Sequence, residues 1–137
     1  MADTFLLEVV TPTRRLLSTE VGEFTAPGAF GEFGVLPGHT GFVTVLKPGE
    51  VVYKKGADTG VIVIGKGYAE VSADKTILLV DSGEFGTEIN LEAAKAASAK
   101  AEEALKTLST EDAEYQSTVD AYELAQARIR VKERGGK

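Results

Sequence analysis

The sequence contains no cysteine and a single histidine, His39, and those two shortages remove most routes to metal or covalent chemistry. A zinc or non-haem iron centre would have to be built from one imidazole and carboxylates, a poor donor set for either ion. No G-x-S-x-G elbow and no H-E-x-x-H helix is present, so neither a hydrolase nucleophile nor a zincin pair is spelled out. The lack of cysteine fits a reducing compartment without proving one, because many secreted proteins also do without disulfides. No apolar run approaches the ~20 residues that a membrane-spanning helix requires, and the first residues show no basic-then-apolar leader. Any membrane association is therefore expected to pass through a partner. Cations are in the minority too. With 15 Lys and Arg against 21 Asp and Glu the formal charge is −6, and no basic stripe with interleaved aromatics offsets it, so a nucleic-acid role is not expected.

What the chain does contain divides at one place. Its 137 residues, 43% of them hydrophobic, suffice for one ordinary core or for a modest core with an appendage. From Phe5 to Val80 short β-rich segments follow one another: Phe5 to Val10, Arg15 to Ser18, Val21 to Ala26, Gly34 to Leu36, Phe42 to Leu46, Val51 to Lys54, Val61 to Ile64, Tyr68 to Val71 and Thr76 to Val80. Turn formers such as Thr11-Pro12-Thr13, Lys47-Pro48-Gly49 and Ala73-Asp74-Lys75 separate them. Many short strands at this spacing, with no βαβ alternation, predict an antiparallel sandwich or barrel. Two glycine clusters, Gly28 to Gly34 and Gly65-Lys66-Gly67, run into further β-sequence and not into a helix, so they read as turns and not as phosphate cradles.

Near Glu84-Phe85-Gly86-Thr87 the composition changes. After Leu91 glycine is absent until Gly135 and proline does not occur, while Ala93, Ala94, Ala96, Ala97, Ala99, Ala101 and Ala104 crowd together, which predicts helix. Asn90 is the expected N-cap, with Glu92 in the first turn and the helix fading around Leu108. A second helix is expected to start at Ser109 or Thr110 and to run to Gly135-Gly136. The facing stripes would be Leu91, Ala94, Ala101, Leu105 and Leu108 on the first helix, and Tyr115, Val119, Tyr122 and Ile129 on the second. Alanine buries little, each missing CH₂ forgoing roughly 0.8 kcal/mol, so this seam is thin. A static helical cap and a movable arm are both compatible with it. Between Glu88 and Ala127 acids outnumber bases nine to three, whereas Arg128, Arg130, Lys132, Arg134 and Lys137 face only Glu133 at the end. The helix dipole alone favours cations there; a basic tip that docks on an acidic partner is the functional alternative.

The most tightly specified stretch is Gly31-Glu32-Phe33-Gly34-Val35-Leu36-Pro37-Gly38-His39-Thr40, in which three glycines and a proline constrain the backbone. An exposed His39 could serve as a general base or ligand, or could hydrogen-bond its own loop. The stretch, followed by Thr44-Val45-Leu46-Lys47-Pro48-Gly49, resembles the signature G-E-[LF]-G-[IV]-L-P-G-H-x-P and L-x-P-G of the epsilon subunits of F-type ATP synthases; the proline usual two residues after the histidine is Gly41 here. Gly65-Lys66-Gly67-Tyr68-Ala69-Glu70-Val71 is similar to a hairpin of that family, and Ala125-Gln126-Ala127-Arg128-Ile129-Arg130-Val131 to its closing A-x-A-R-[IL]-x-V.

This resemblance, which spans the chain, implies an α+β fold: an N-terminal antiparallel β-sandwich over residues 1–86, then a C-terminal antiparallel α-helical hairpin over residues 87–137. It implies a non-catalytic central-stalk subunit bound to the gamma subunit and the c-subunit ring, coupling proton or sodium flow to ATP synthesis. It also implies a hairpin that can open, reach the alpha/beta catalytic head and block ATP hydrolysis. Glu32, Phe33, Gly34, Val35, Leu36, Pro37, Gly38 and His39 fall where the family touches the c-ring, and Arg128, Arg130, Lys132 and Arg134 where it faces the head. The implied location is the cytoplasmic face of a bacterial inner membrane, or less readily the stromal face of a thylakoid, reached through the complex. No cofactor is implied as a requirement. The family's regulatory ATP motif, [IL]-D-x-x-R-A, falls on Leu91, Glu92, Lys95 and Ala96; Glu92 and Lys95 replace its aspartate and arginine, and Glu102 stands where a second arginine is usual. Lysine lacks arginine's planar fork and Glu102 would repel phosphate, which argues against ATP sensing. A cupin-like small-molecule-binding barrel or enzyme with a helical cap, suggested by Pro37-Gly38-His39 and Lys47-Pro48-Gly49-Glu50, is the alternative, although such enzymes usually need two or three histidines around a metal.

Overall fold

The computed structural model describes residues 3–136. Lys137, counted above with the basic tip, lies outside the described residues. Among these residues ten strands precede two α-helices: β1 (Phe5–Val10), β2 (Arg15–Val21), β3 (Glu23–Gly28), β4 (Gly31–Val35), β5 (Phe42–Leu46), β6 (Gly49–Lys55), β7 (Asp58–Ile64), β8 (Gly67–Val71), β9 (Lys75–Val80) and β10 (Gly83–Phe85), then, after a 3-10 turn at Gly86–Glu88, α1 (Leu91–Leu105) and α2 (Tyr115–Glu133). The strands form one hydrogen-bonded path, β10-β7-β6-β3-β5-β8-β9-β1-β2, with β4 added on β3. Between β3 and β5 the path narrows to the single pair Gly28↔Leu46, and there the sheet turns a corner. Only glycine fits at position 28, since a Cβ would meet the Gly31 carbonyl oxygen at 2.6 Å.

Folding at that corner lays β5-β8-β9-β1-β2 over β10-β7-β6-β3-β4 and brings β2 back against β6. The interior is filled by the inward residues of both layers, among them Phe5, Leu7, Phe24, Leu46, Ile62 and Leu78, and tilted rings join Phe5 to Phe24 at 5.9 Å. Each fully buried side chain of this size contributes roughly 1.5–3 kcal/mol, so the sandwich has an ample core. Among the described residues the one departure from antiparallel order is β1, which pairs with β9 in parallel, Leu7 opposite Thr76. Glu8, buried on β1, is held there by Lys75 Nζ at 3.1 Å, Arg15 Nε at 3.3 Å and the Ser18 hydroxyl at 3.2 Å.

The expected strands are present with shifted ends. Gly22 breaks the stretch expected from Val21 to Ala26, so Val21 finishes β2, and β10 is an additional short strand on the free edge of β7. The strand expected from Gly34 to Leu36 is β4, Gly31–Val35: it begins three residues earlier, inside the stretch read as a glycine turn, because Gly31 closes a tight hairpin at φ 133° and lets the segment zip onto β3, and it stops before Leu36. In the hairpin, Asn90 caps α1 by accepting from the Ala93 amide at 2.9 Å. The helix ends at Leu105, three residues before the expected fade. The second helix begins at Tyr115 and not at Thr110, because Asp112 accepts from the Ser109 amide at 2.8 Å and the Ser109 hydroxyl from the Glu111 amide at 3.2 Å, a local turn that competes with helix.

The buried face of α1 is Ala94, Ser98 and Ala101. Leu91, Leu105, Tyr115, Val119, Tyr122 and Ile129, expected on the seam, are half-buried. Ser98 was not expected there; it accepts from Gln126 Nε2 at 2.6 Å and supplies a polar register mark in an alanine seam. α2 packs against α1 on one side and the sandwich on the other, with Leu124, Ala127 and Val131 seated on Val61, Val63 and Ile89.

Candidate functional site

The Gly31–His39 stretch alternates, as a strand must. Phe33 turns inward and meets the edges of Phe24 and Phe42 at ring distances of 6.3 and 5.5 Å, and Val35 is 2% exposed. Glu32, Gly34 and Leu36 face out, Leu36 at 59% exposure. Of the eight residues assigned to ring contact, Val35 thus has no surface to offer in this form and serves to anchor β4. The loop that follows is braced by the Gly38 amide, which donates to the Ala73 carbonyl at 3.1 Å with Gly38 at φ 78°. His39 is half-buried, edge-on to Phe42 at 5.4 Å, with Nδ1 at 2.8 Å from the Thr40 carbonyl; Nδ1 therefore carries the proton and donates. The histidine hydrogen-bonds its own loop. At the adjoining β3–β4 turn Phe30 is fully exposed.

Three of the four cations in and just after α2 are paired with the sandwich or with the segment that follows it. Arg128 Nε donates to Glu84 on β10, both Nη atoms of Arg134 meet the two oxygens of Glu50 on β6, and Lys132 Nζ donates to the Thr87 carbonyl at 3.1 Å. Two looser pairs extend the contact along α2, Lys66–Asp120 at 3.8 Å and Lys47–Glu123 at 3.9 Å. Arg130 stays exposed and borders a groove of about 490 Å³ that Glu32, Lys47, Glu50, Glu123 and Gln126 also line. The loop residue and the basic tip, separate in the sequence reading, are therefore neighbours here.

The four positions of the ATP motif are less convergent. Glu92, Lys95 and Ala96 are exposed on the first turns of α1, Leu91 is half-buried, and Glu102 is exposed further along the helix.

Sequence reasoning passed over one surface altogether. Val45 pairs with Tyr68 and Tyr68 with Leu79, so the three make a row across β5, β8 and β9 on the outer side of the sandwich. They are 48, 60 and 47% exposed, and Val43 beside them is 71% exposed. A concavity of about 760 Å³ runs along this row and reaches Val10 and Lys66. The signal was available in Phe42-Val43-Thr44-Val45-Leu46, where both faces of one strand carry apolar residues. Contiguous exposed apolar area of this kind marks an interaction surface.

A filled sandwich that presents a braced loop, an outer apolar row and a cation-rich helix defines an interaction subunit. Comparison with known proteins specifies which. The profile of the ATP synthase delta/epsilon chain β-sandwich domain matches residues 4–86. The ATP synthase epsilon chain of Geotalea uraniireducens (strain Rf4) is 50% identical over 131 residues, 96% of this chain and 95% of that one. Epsilon chain 2 of Syntrophotalea carbinolica is 44% identical over 137 residues, 100% of this chain and 99% of that one. A chain in the structure of the Euglena gracilis mitochondrial ATP synthase OSCP/F1/c-ring assembly shares the fold, with a TM-score of 0.81 at 23% identity, covering 96% of this chain and 83% of that one. The chain belongs to the epsilon-chain family of ATP synthases, whose members are non-catalytic subunits. That membership replaces the cupin-like alternative.

Proposed function

We propose that this chain is the central-stalk subunit that couples ion flow through the c-subunit ring to ATP synthesis, and that its helical hairpin restrains ATP hydrolysis when it opens. On this reading residues 1–86 form the stalk and ring unit, and residues 87–137 the regulatory arm. The observation that carries it is the pair of outward surfaces on one rigid sandwich. The apolar row Val43, Val45, Tyr68 and Leu79 suits a permanent seat on the gamma subunit, and the braced end with Phe30, Glu32, Leu36 and His39 suits a contact with the ring. Because the sandwich core is densely filled, torque at one surface would reach the other without deforming the module.

The arm supplies the regulatory part. Arg128, Arg130, Lys132 and Arg134 would face acidic segments of the alpha/beta head once α2 leaves the sandwich. No cofactor is assigned; Glu92 and Lys95 offer a phosphate no bidentate fork, which argues against ATP as a regulatory ligand on α1. The chain would lie at the cytoplasmic face of a bacterial inner membrane, held there by the complex.

The test is ATP hydrolysis by the host's epsilon-free catalytic complex, titrated with the full chain and with the Arg128→Glu/Arg130→Glu/Arg134→Glu variant. Inhibition by the first and its relief in the second, with both bound, supports the reading. Binding without inhibition by either leaves a coupling subunit whose hairpin is structural, and absence of binding rejects the stalk assignment.

A further inference from the structure

The contact between α2 and the sandwich has a spacing that neither element shows alone. β6 and β10 flank β7, and Glu50 of β6 and Glu84 of β10 stand opposite the same residue, Val63. Residues directly opposite in an antiparallel sheet project to the same face, so the sandwich presents a transverse row: acid, valine, acid. Along α2 and its C-cap the matching row is Arg128, Val131 and Arg134, at i, i+3 and i+6, on the side of the helix that faces the sandwich. Six helical residues rise about 9 Å, and two interstrand spacings measure about 9.6 Å, so the two rows are commensurate. Val131 enters the cluster that contains Val63, while Arg128 pairs with Glu84 and Arg134 with Glu50. The C-terminal end is seated more closely still. A Cβ on Gly86 would meet the Gly136 carbonyl oxygen at 2.6 Å and Val131 Cγ1 at 2.8 Å.

We propose that Glu50 and Glu84 form an internal electrostatic latch that holds the arm closed by occupying the same guanidinium groups that an acidic partner surface would bind. The inference rests on the movable-arm reading above and says what governs it. A guanidinium fork satisfies one carboxylate bidentately at a time, so capture of Arg128 and Arg134 by a partner requires their release from the sandwich. The latch multiplies the arm's apparent association constant for any such partner by the fraction of chains that are open. All four side chains are partly exposed, with Arg128 and Glu84 at 20 and 31% and Arg134 and Glu50 at 42 and 24%, so the latch is open to screening by salt.

The chain's lack of cysteine makes a clean measurement possible. Spin labels on Asp58→Cys, at the β6–β7 turn, and Ala97→Cys, on the exposed side of α1, report the distance between sandwich and arm in the full chain. Glu50→Gln/Glu84→Gln should raise the ratio of long-distance to short-distance populations about tenfold, given about two- to fivefold for each partly exposed pair. Raising salt from about 50 mM to about 500 mM should shift the unsubstituted chain the same way and the double variant less, since only the looser Lys66–Asp120 and Lys47–Glu123 pairs then remain to be screened. The charge exchange Glu84→Arg/Arg128→Glu should restore the closed population relative to Glu84→Arg alone. Gly86→Leu, a steric wedge at the seat of Gly136, separates the two readings. If Gly86→Leu opens the arm while Glu50→Gln/Glu84→Gln and salt do not, the latch is overturned and the movable arm stands. If none of them opens it, both are rejected.

Discussion

The sandwich and the hairpin are built from the same chain on different principles. The sandwich interior joins large side chains from distant segments, Phe5 and Leu7 of β1 beside Leu78 of β9, Phe24 of β3 facing Phe5. The hairpin seam joins neighbours in sequence through Ala94, Ser98, Ala101 and Ala125, and the apolar contact of α2 with the sandwich rests chiefly on Leu124, Ala127 and Val131. Burial scales with apolar area, so the two halves differ in how strongly each is held. One half is a platform, and the other is a layer that meets it through a small apolar cluster flanked by ion pairs.

That contrast is open to direct attack. Phe24→Ala should destabilise the whole sandwich by about 3–5 kcal/mol in denaturant unfolding. A loss of less than about 1 kcal/mol would remove the distinction between platform and layer. Val131→Ala should cost about 1–2 kcal/mol, felt in the docking of α2. Amide exchange in residues 115–133 should quicken while the sandwich strands keep their protection; uniform acceleration would mean that the two halves unfold as one unit.

Ser98→Ala should cost about 1 kcal/mol by leaving the Gln126 amide without its partner, and Ser98→Ala/Gln126→Leu should recover much of it. No recovery would deny the pair its role in helix register. The smallest effect concerns acid. Glu8 is held below the usual carboxylate range by the Lys75 hydrogen bond, against the opposing effect of burial, with help from Ser18 and from the charges of Lys75 and Arg15. A lowered folded pKa means that this contribution is present above the ordinary value of 4.5 and is lost as pH falls through the folded value. Glu8→Gln should flatten the acid limb of a stability profile that otherwise declines below about pH 4.5. An unchanged limb would assign acid sensitivity to other carboxylates.

Local chemistry carried much of the fold in readable form. Turn residues bounded the strands, Asn90 marked the start of α1, and the alanine run excluded strand. The Gly31–His39 stretch was legible as a shaped surface element, although its first half joined β4 because strand pairing outweighed loop propensity. Four features lay beyond that reach: β10, the parallel β1–β9 pair, the outer row Val45-Tyr68-Leu79, and the seating of Val131 on Val63. Each depends on which strand lies beside which, and hydrophobic alternation specifies the faces of a strand without specifying its neighbours.

The basic tip shows the same boundary in one set of residues. Arg128, Arg130, Lys132 and Arg134 could be found from the sequence, and so could the helix that carries them. That Arg128 meets Glu84 and Arg134 meets Glu50, 44 and 84 residues away along the chain, followed only when β7 placed both carboxylates opposite Val63. Sequence by itself determined the periodicities, caps and turns, because these rest on interactions within a few residues. The tertiary structure decided the pairing of charges, because that rests on sheet order and on the match between helix rise and strand spacing.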